Sequence, residues 1–252
     1  MPDPSVALNN RQYPWLKFLP TCHSTNTWAS ERRSQLVHGD VVFTPRQTAG
    51  KGQHGRTWIS PAGVLTASFI LDGMPPQVAG LSLVAGLAVI EAVEFLLPEL
   101  HQQLQLKWVN DIWLNRRKLA GILCEGAGDR VIVGVGLNRC VTFDDPTAIG
   151  YPVSLHEFVA TVPDELILLE QIRHTLLKFS DRLIRQGLQD FLAALNFRDG
   201  LIDHKIEVQT EHDFFTGDAV GIDAQGRLRL QTADGHLQTL VNARIVKWHK
   251  TT

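Results

Sequence analysis

The stretch Ala49-Gly50-Lys51-Gly52-Gln53-His54-Gly55-Arg56-Thr57-Trp58 carries three glycines, two cations, a histidine and no carboxylate. Glycines let backbone N–H groups crowd around an anion, and a lysine and an arginine add the charge that a phosphate recruits. By letters alone, Gly50-x-Gly52-x-x-Gly55 matches the dinucleotide-binding pattern, and residues 50–57 resemble a P-loop with Arg56 in the lysine position. Both patterns need a helix that opens at the loop and turns its N-terminus to the phosphates. Here Pro61 and Gly63 follow, and no helical periodicity begins. The doubly wound nucleotide-binding folds are thereby set aside. What remains is an anion-binding loop on another framework, or a solvated basic surface loop.

Working outward from this stretch, residues 24–36 hold helix-forming material behind four capping candidates, Ser24, Thr25, Asn26 and Thr27. The β-branched run at 41–44 predicts a strand. Residues 45–63 contain four glycines and two prolines with little apolar periodicity, and irregular segments of this length are mostly binding loops or lids. Further on, 65–71 reads as a buried strand, and Pro75-Pro76 ends that passage. Residues 78–97 form a mostly apolar helix stopped by Pro98, and 104–108 is a strand. Residues 112–114 and 118–125 make a hairpin around the basic turn Asn115-Arg116-Arg117, and 131–137 is a glycine-spaced central strand. The spacing over 164–186 predicts a helix ended by Gly187, followed by a shorter one at 188–196.

From Lys205 the texture changes. Short strands at 206–208, 219–222, 228–231, 237–241 and 245–248 alternate with turn residues, among them Asp234-Gly235. Five short strands in so little chain suggest a small barrel. The chain is therefore divided into an N-terminal extension (1–20), a larger domain (21–203) and the barrel (204–252).

Composition narrows the class. The 252 residues are 44% hydrophobic and 20% charged, as in an ordinary globular protein, and 24 basic against 26 acidic side chains leave −2. That balance argues against a general nucleic-acid binder. Cys22, Cys124 and Cys140 make no C-x-x-C pair, so a cysteine zinc site is not expected and a reducing, cytoplasmic setting is. The longest uncharged apolar run, 78–90, is too short to span a bilayer, and the proline-studded start is no signal peptide.

The sequence holds no H-E-x-x-H and no G-x-S-x-G, and its ten histidines are scattered. An anion-binding loop without a protein nucleophile suits a reaction whose nucleophile belongs to the substrates. Adenylation fits: a carboxylate attacks the α-phosphate of ATP while the enzyme positions groups and neutralises charge. A second cluster, Lys107-Trp108-Val109-Asn110-Asp111 and Lys118-Leu119-Ala120-Gly121-Ile122-Leu123, supports this. Lys118 opens an apolar strand, so an inward-facing ammonium there needs an anionic partner; a lysine at a surface strand edge is the alternative. Asp111 is a turn residue beside Asn110, a Mg²⁺ ligand, or a group that orients an incoming amine.

Taken in order, Ser24-Thr25-Asn26, Gln47, the 50–58 loop, the two clusters above and Val133-Gly134-Val135-Gly136-Leu137-Asn138 resemble the biotin–protein ligases. The resemblance implies an α+β catalytic domain with a mixed sheet and flanking helices, related to class II aminoacyl-tRNA synthetases, plus an SH3-like C-terminal barrel. It implies biotin and ATP as substrates, with Mg²⁺, and an apo biotin carboxyl carrier protein as partner. Biotin would meet Ser24, Thr25, Asn26, Gln47, Lys51, Gly52, Gln53, Lys118 and Gly121. ATP or the adenylate would meet Gly50, Lys51, Arg56, Trp58, Asn110, Lys118 and Asn138. Lys118, Asp111 and Arg56 would be catalytic, with Asp111 as the Mg²⁺ ligand; Tyr151 or Trp113 would cover adenine. Two departures stand out: Gln53 occupies a position often held by arginine, and Val109 replaces a customary proline. The regulatory members carry an N-terminal helix-turn-helix, which the residues before Ser24 are too few to supply. Neither DNA nor a membrane is therefore expected as a partner, and the chain is expected to be a monomer or a homodimer. A lipoate or octanoate ligase on the same scaffold is the alternative.

Overall fold

The computed structural model describes residues 12–74, 80–143 and 151–250. Its larger sheet has seven strands: β1 (Leu16–Phe18), β2 (Val41–Thr44), β3 (Val64–Asp72), β4 (Leu104–Lys107), β5 (Asp111–Leu114), β6 (Arg117–Ala127) and β7 (Arg130–Asn138). Their order is β1-β2-β3-β7-β6-β5-β4, with β1 and β2 parallel and all other pairs antiparallel. Four helices accompany it: α1 (Thr25–Glu31), α2 (Leu81–Leu96), α3 (Glu165–Gln186) and α4 (Leu192–Arg198). The expected break at Pro75-Pro76 and the first two residues of the expected 78–97 helix lie outside the described residues.

Side-chain alternation divides the work of the two sheet faces. Leu65, Ala67, Phe69 and Leu71 of β3 join Val131, Val133, Val135 and Leu137 of β7 in the main core, which includes the buried faces of α2 and α3. The other face carries a small cluster of Ala29 and Leu36 with Val42, Ile70 and Ile132. On that second face the register aligns Thr44, Thr66, Gly136, Gly121, Asp111 and Lys107 side by side across six strands. A parallel row holds Val42, Ser68, Gly134 and Leu123. The centre of this face is thus a glycine floor with polar margins.

Local differences from the sequence expectation have simple causes. The helix expected over 24–36 ends at Glu31, because Arg33–Gln35 tightens into a 3₁₀ turn that buries Leu36. The expected 188–196 helix splits into a 3₁₀ turn at Leu188–Phe191 and then α4.

Strands β8 (His204–Gln209), β9 (Phe214–Ile222), β10 (Leu228–Thr232), β11 (Leu237–Leu240) and β12 (Arg244–Lys250) form a second, antiparallel sheet in the order β11-β10-β9-β8-β12. Its inward residues Ile206, Val208, Ile222, Leu228 and Leu230 belong to the same core as α2 and β4. Two contacts fasten it to the larger sheet: Trp108 Nε1 donates to the Gly226 carbonyl at 3.0 Å, and Trp113 packs on Trp248 with ring centroids 5.1 Å apart. Among the described residues no helix is long and apolar enough to cross a membrane.

Candidate active site

The Gly50–Trp58 stretch folds as a small hairpin. Lys51 bridges Thr57, Gly52 N donates to Arg56 O at 2.7 Å, and Trp58 N donates to Gly50 O at 2.9 Å. The turn between them runs through Gln53–Gly55, with His54 and Gly55 at positive φ, a region glycine enters freely. Gly50 admits no side chain, since a methyl group there would run into the backbone carbonyl of Trp58. Lys51 and Arg56 are exposed, and neither pairs with a carboxylate among the described residues. The loop forms one wall of a cleft of about 700 Å³ that is also lined by Val109, Leu123 and Glu125, and by Asn242 from the turn between β11 and β12.

Trp58 folds back over the glycine floor. A methyl group added at Gly136 would lie 2.3 Å from Trp58 Cε2, and one at Gly121 would lie 3.1 Å from Cζ3. Lys118 Nζ stands 5.4 Å from the centroid of the same indole, within cation–π range. Trp58 Nε1 is buried with no hydrogen-bond partner in the protein. Such a donor is costly unless something accepts from it.

At the far end of the floor, Lys118 Nζ meets Asp111 Oδ1 at 2.6 Å, and Lys107 Nζ approaches Asp111 Oδ2 at 3.9 Å. The anionic partner that Lys118 required is therefore Asp111. Lys107 is a member of the site that sequence reasoning gave no role. Burial, chiefly, pushes its ammonium below the usual range; Asp111 opposes this, while Lys118, Arg56 and Arg244 push the same way.

The Ser24–Asn26 stretch is positioned by α1. Ser24 caps the helix by accepting from Thr27 N at 3.4 Å. Thr25 and Asn26 are buried. Gln47 Oε1 accepts from Thr25 N at 2.8 Å, and Gln47 Nε2 donates to Ser60 at 3.3 Å. Asn26 Nδ2 donates to Leu123 O and to Glu125 Oε2 at 3.2 and 2.7 Å. Ser60 and Glu125 were not singled out in the sequence.

Two expected contacts are used otherwise. Asn138 Nδ2 donates to the Lys118 and Val153 carbonyls, at 3.1 and 3.0 Å, so its amide braces the strand that carries Lys118. Asn110 exchanges hydrogen bonds with the Ile122 backbone and fixes the turn before Asp111. Trp113 is 3% exposed and packed on Trp248, so it is unavailable to cover a base. Tyr151 is exposed, and its carbonyl accepts from Lys118 N. Cys124, whose thiol burial pushes up to about 12, is no nucleophile. No group of three His, Cys, Asp or Glu side chains converges among the described residues.

Fold and cleft together define an enzyme of the ligase kind, with a catalytic sheet and an appended small β domain. Residues 18–138 match the Biotin/lipoate A/B protein ligase family and residues 202–248 match the Biotin protein ligase C terminal domain. The chain is 34% identical over 203 residues to the biotin–[acetyl-CoA-carboxylase] ligase of Mycobacterium tuberculosis, covering 77% of this chain and 74% of that one. It is 31% identical to the bifunctional ligase/repressor BirA of Salmonella typhimurium, over 84% of this chain and 68% of its relative. It also superposes on the Aquifex aeolicus biotin protein ligase solved with biotin and ATP, with a TM-score of 0.81, 24% identity and coverage of 93% and 98%. The chain belongs to the biotin protein ligase family.

Proposed function

We infer that the protein attaches biotin to a lysine of a biotin carboxyl carrier domain by way of biotinyl-5′-AMP. In the first step the biotin carboxylate attacks the α-phosphorus of ATP and pyrophosphate leaves. In the second, the carrier lysine amine attacks the acyl carbon, AMP leaves, and an amide forms. The relatives named as biotin ligases favour biotin over lipoate. The observation that carries the site assignment is the Lys118–Asp111 pair at the end of a glycine floor walled by a cationic hairpin.

In this reading Lys118 leaves Asp111 to meet the carboxylate and α-phosphate, where negative charge develops. Gly50, Lys51, Gly52, Gln53 and Arg56 hold the phosphate side, and the orphaned Trp58 indole N–H finds its acceptor on the bound nucleotide. Thr25, Asn26 and Gln47 hold the biotin ring, with Ser24 fixing their helix. Released from Lys118, Asp111 orients the incoming amine. Among the described residues, Asp111 is already matched by two lysines and Glu125 accepts from Asn26; a Mg²⁺ ion would therefore be held mainly by the ATP phosphates, where it would offset their charge. Residues 21–203 would do the chemistry and residues 204–252 would close the cleft. The near-zero net charge speaks against DNA as a partner, and the protein would act as a cytoplasmic monomer or homodimer.

The test is direct. Incubation with ATP, Mg²⁺ and biotin should yield biotinyl-adenylate by mass spectrometry, and addition of an apo carrier domain should consume it. Adenylate formed from lipoate but not from biotin would overturn the assignment.

A further inference from the structure

Beneath the proposed biotin site runs a chain of side chains that ends in acceptors. Asn26 Nδ2 is committed to Leu123 O and Glu125 Oε2, so Asn26 Oδ1 must face Ser68. Gln47 Oε1 faces the Thr25 backbone N–H, so this amide too has a fixed orientation. Between the two amide oxygens lie two hydroxyls, Ser68 and Thr25. The three contacts along the line are Asn26 Oδ1–Ser68 Oγ at 2.5 Å, Ser68 Oγ–Thr25 Oγ1 at 2.7 Å and Thr25 Oγ1–Gln47 Oε1 at 3.2 Å.

A hydroxyl carries one proton and an amide oxygen none, so two protons serve three contacts. The longest contact is the one that goes without. If Thr25 donates to Gln47 Oε1 at 3.2 Å, the 2.7 Å contact between Ser68 and Thr25 goes without a proton; if Ser68 donates to Asn26 and Thr25 to Ser68, both short contacts are served and Thr25 Oγ1 and Gln47 Oε1 stand as adjacent acceptors. Two adjacent acceptors of this kind require a donor from outside. Ser68 is fully buried in β3, opposite Gly134, whose missing side chain makes the room that Asn26 occupies: a methyl group there would stand 2.5 Å from Asn26 Oδ1.

We propose that Ser68, held by an Asn26 amide that Glu125 fixes in turn, is a positioning residue that turns the Thr25 hydroxyl proton inward, so that Thr25 and Gln47 present a pair of acceptors selective for a ligand N–H. The proposal rests on the biotin reading and deepens it. A ureido ring supplies N–H donors; a dithiolane ring supplies none. Without Ser68 the Thr25 proton turns to Gln47 Oε1, and an incoming N–H loses its acceptor pair.

The experiment is a cycle between protein and ligand. Biotin and two analogues, each with one ureido N–H replaced by oxygen, are compared in pyrophosphate exchange and in calorimetric binding to the wild type and to Ser68→Ala. Loss of one such hydrogen bond corresponds to roughly a tenfold change. Ser68→Ala should raise the KM for biotin by about that factor with a much smaller change in kcat. For one of the two analogues, the penalty seen in the wild type should largely vanish in the alanine variant. Ser68→Cys, which keeps a weak donor and fills the space that alanine leaves, should fall between the two and guards against a cavity artefact. Equal analogue penalties in wild type and Ser68→Ala would overturn the role of Ser68. A wild type that fails to use biotin at all would instead overturn the underlying reading.

Discussion

Lys118 Nζ rests 2.6 Å from Asp111 Oδ1, so the lysine beside Trp58 begins with its charge already matched. A substrate anion must take Lys118 from Asp111, while Lys107 remains beside the carboxylate that is left behind. The ion pair thus keeps a half-buried cation ordered before substrate arrives, at a smaller desolvation cost than an unpaired ammonium would incur.

Replacing Lys118 by methionine should keep the side chain's length and remove this charge. Losing one preorganised donor to developing negative charge is worth roughly 2.7–4 kcal/mol, or about 10²–10³ in rate. Biotin-dependent pyrophosphate exchange should fall by that factor while circular dichroism stays native. Turnover near the wild-type rate would show that Lys118 is only a surface lysine.

Gly136→Ala places a methyl group 2.3 Å from the Trp58 indole. Overpacking of this kind costs about 1–3 kcal/mol. Trp58 sits on a hairpin and Gly136 in the middle of a sheet, so the hairpin should yield. The expected result is a shift in tryptophan emission and a loss of adenylation, with the melting temperature little changed. Full adenylation in the variant would mean that Trp58 need not lie on the floor during catalysis.

Arg46, Lys51 and Arg56 are exposed, and bound phosphate would supply the counter-charge that the 46–58 segment lacks. Trypsin cleavage at these three residues should slow sharply when biotin and ATP are both present, as the hairpin orders around the adenylate. Closure would also keep water from an acyl-adenylate awaiting its amine. Equal cleavage rates with and without the two substrates would contradict this.

Asp199 gives a pH dependence. Its carboxyl is 6% exposed, Oδ1 accepts from Leu201 N at 2.9 Å and Oδ2 has no partner. Burial raises its pKa from 3.8 to about 6, against the Leu201 hydrogen bond. The native state therefore keeps a proton that the unfolded chain has released. This contribution is fully present below about pH 4, declines as the pH rises, and is lost above about pH 6, by up to ~3 kcal/mol. Asp199→Asn should gain stability relative to wild type between pH 4 and pH 7.5 in urea unfolding. A buried amide costs the same at both values, so that cost cancels. A stability difference independent of pH would refute the assignment.

Strong periodicity made most elements legible. The apolar runs of β3 and β7, the spacing of α3 with Gly187 at its end, and the turn residues of the second sheet are all local signals. Strand β1 was missed because Leu16-Lys17-Phe18 is too short to show a period. The backbone bridge from Lys118 to Pro152 was missed because it joins distant segments. In the site, Lys118 and Asp111 could each be suspected from sequence, but their pairing depends on the β5–β6 register. The resemblance alone put Asn138 on the nucleotide side, whereas its amide nitrogen donates to two carbonyls. One signal for Ser68 was available: the two hydroxyls Thr66 and Ser68, set in a buried strand of mainly apolar residues, each have to be paired with something.

The glycine floor has a consequence for how the site is mapped by mutation. Alanine scanning asks what each side chain contributes by deleting it, and passes over positions that have none. At Gly121, Gly134 and Gly136 the information lies in atoms that are missing, since each leaves space that Trp58 or Asn26 fills. A survey built on deletion would rank these three positions as blank. A survey built on addition, one methyl group at a time, would find Gly134 and Gly136 blocked by Asn26 and Trp58, and Gly121 tight against Trp58.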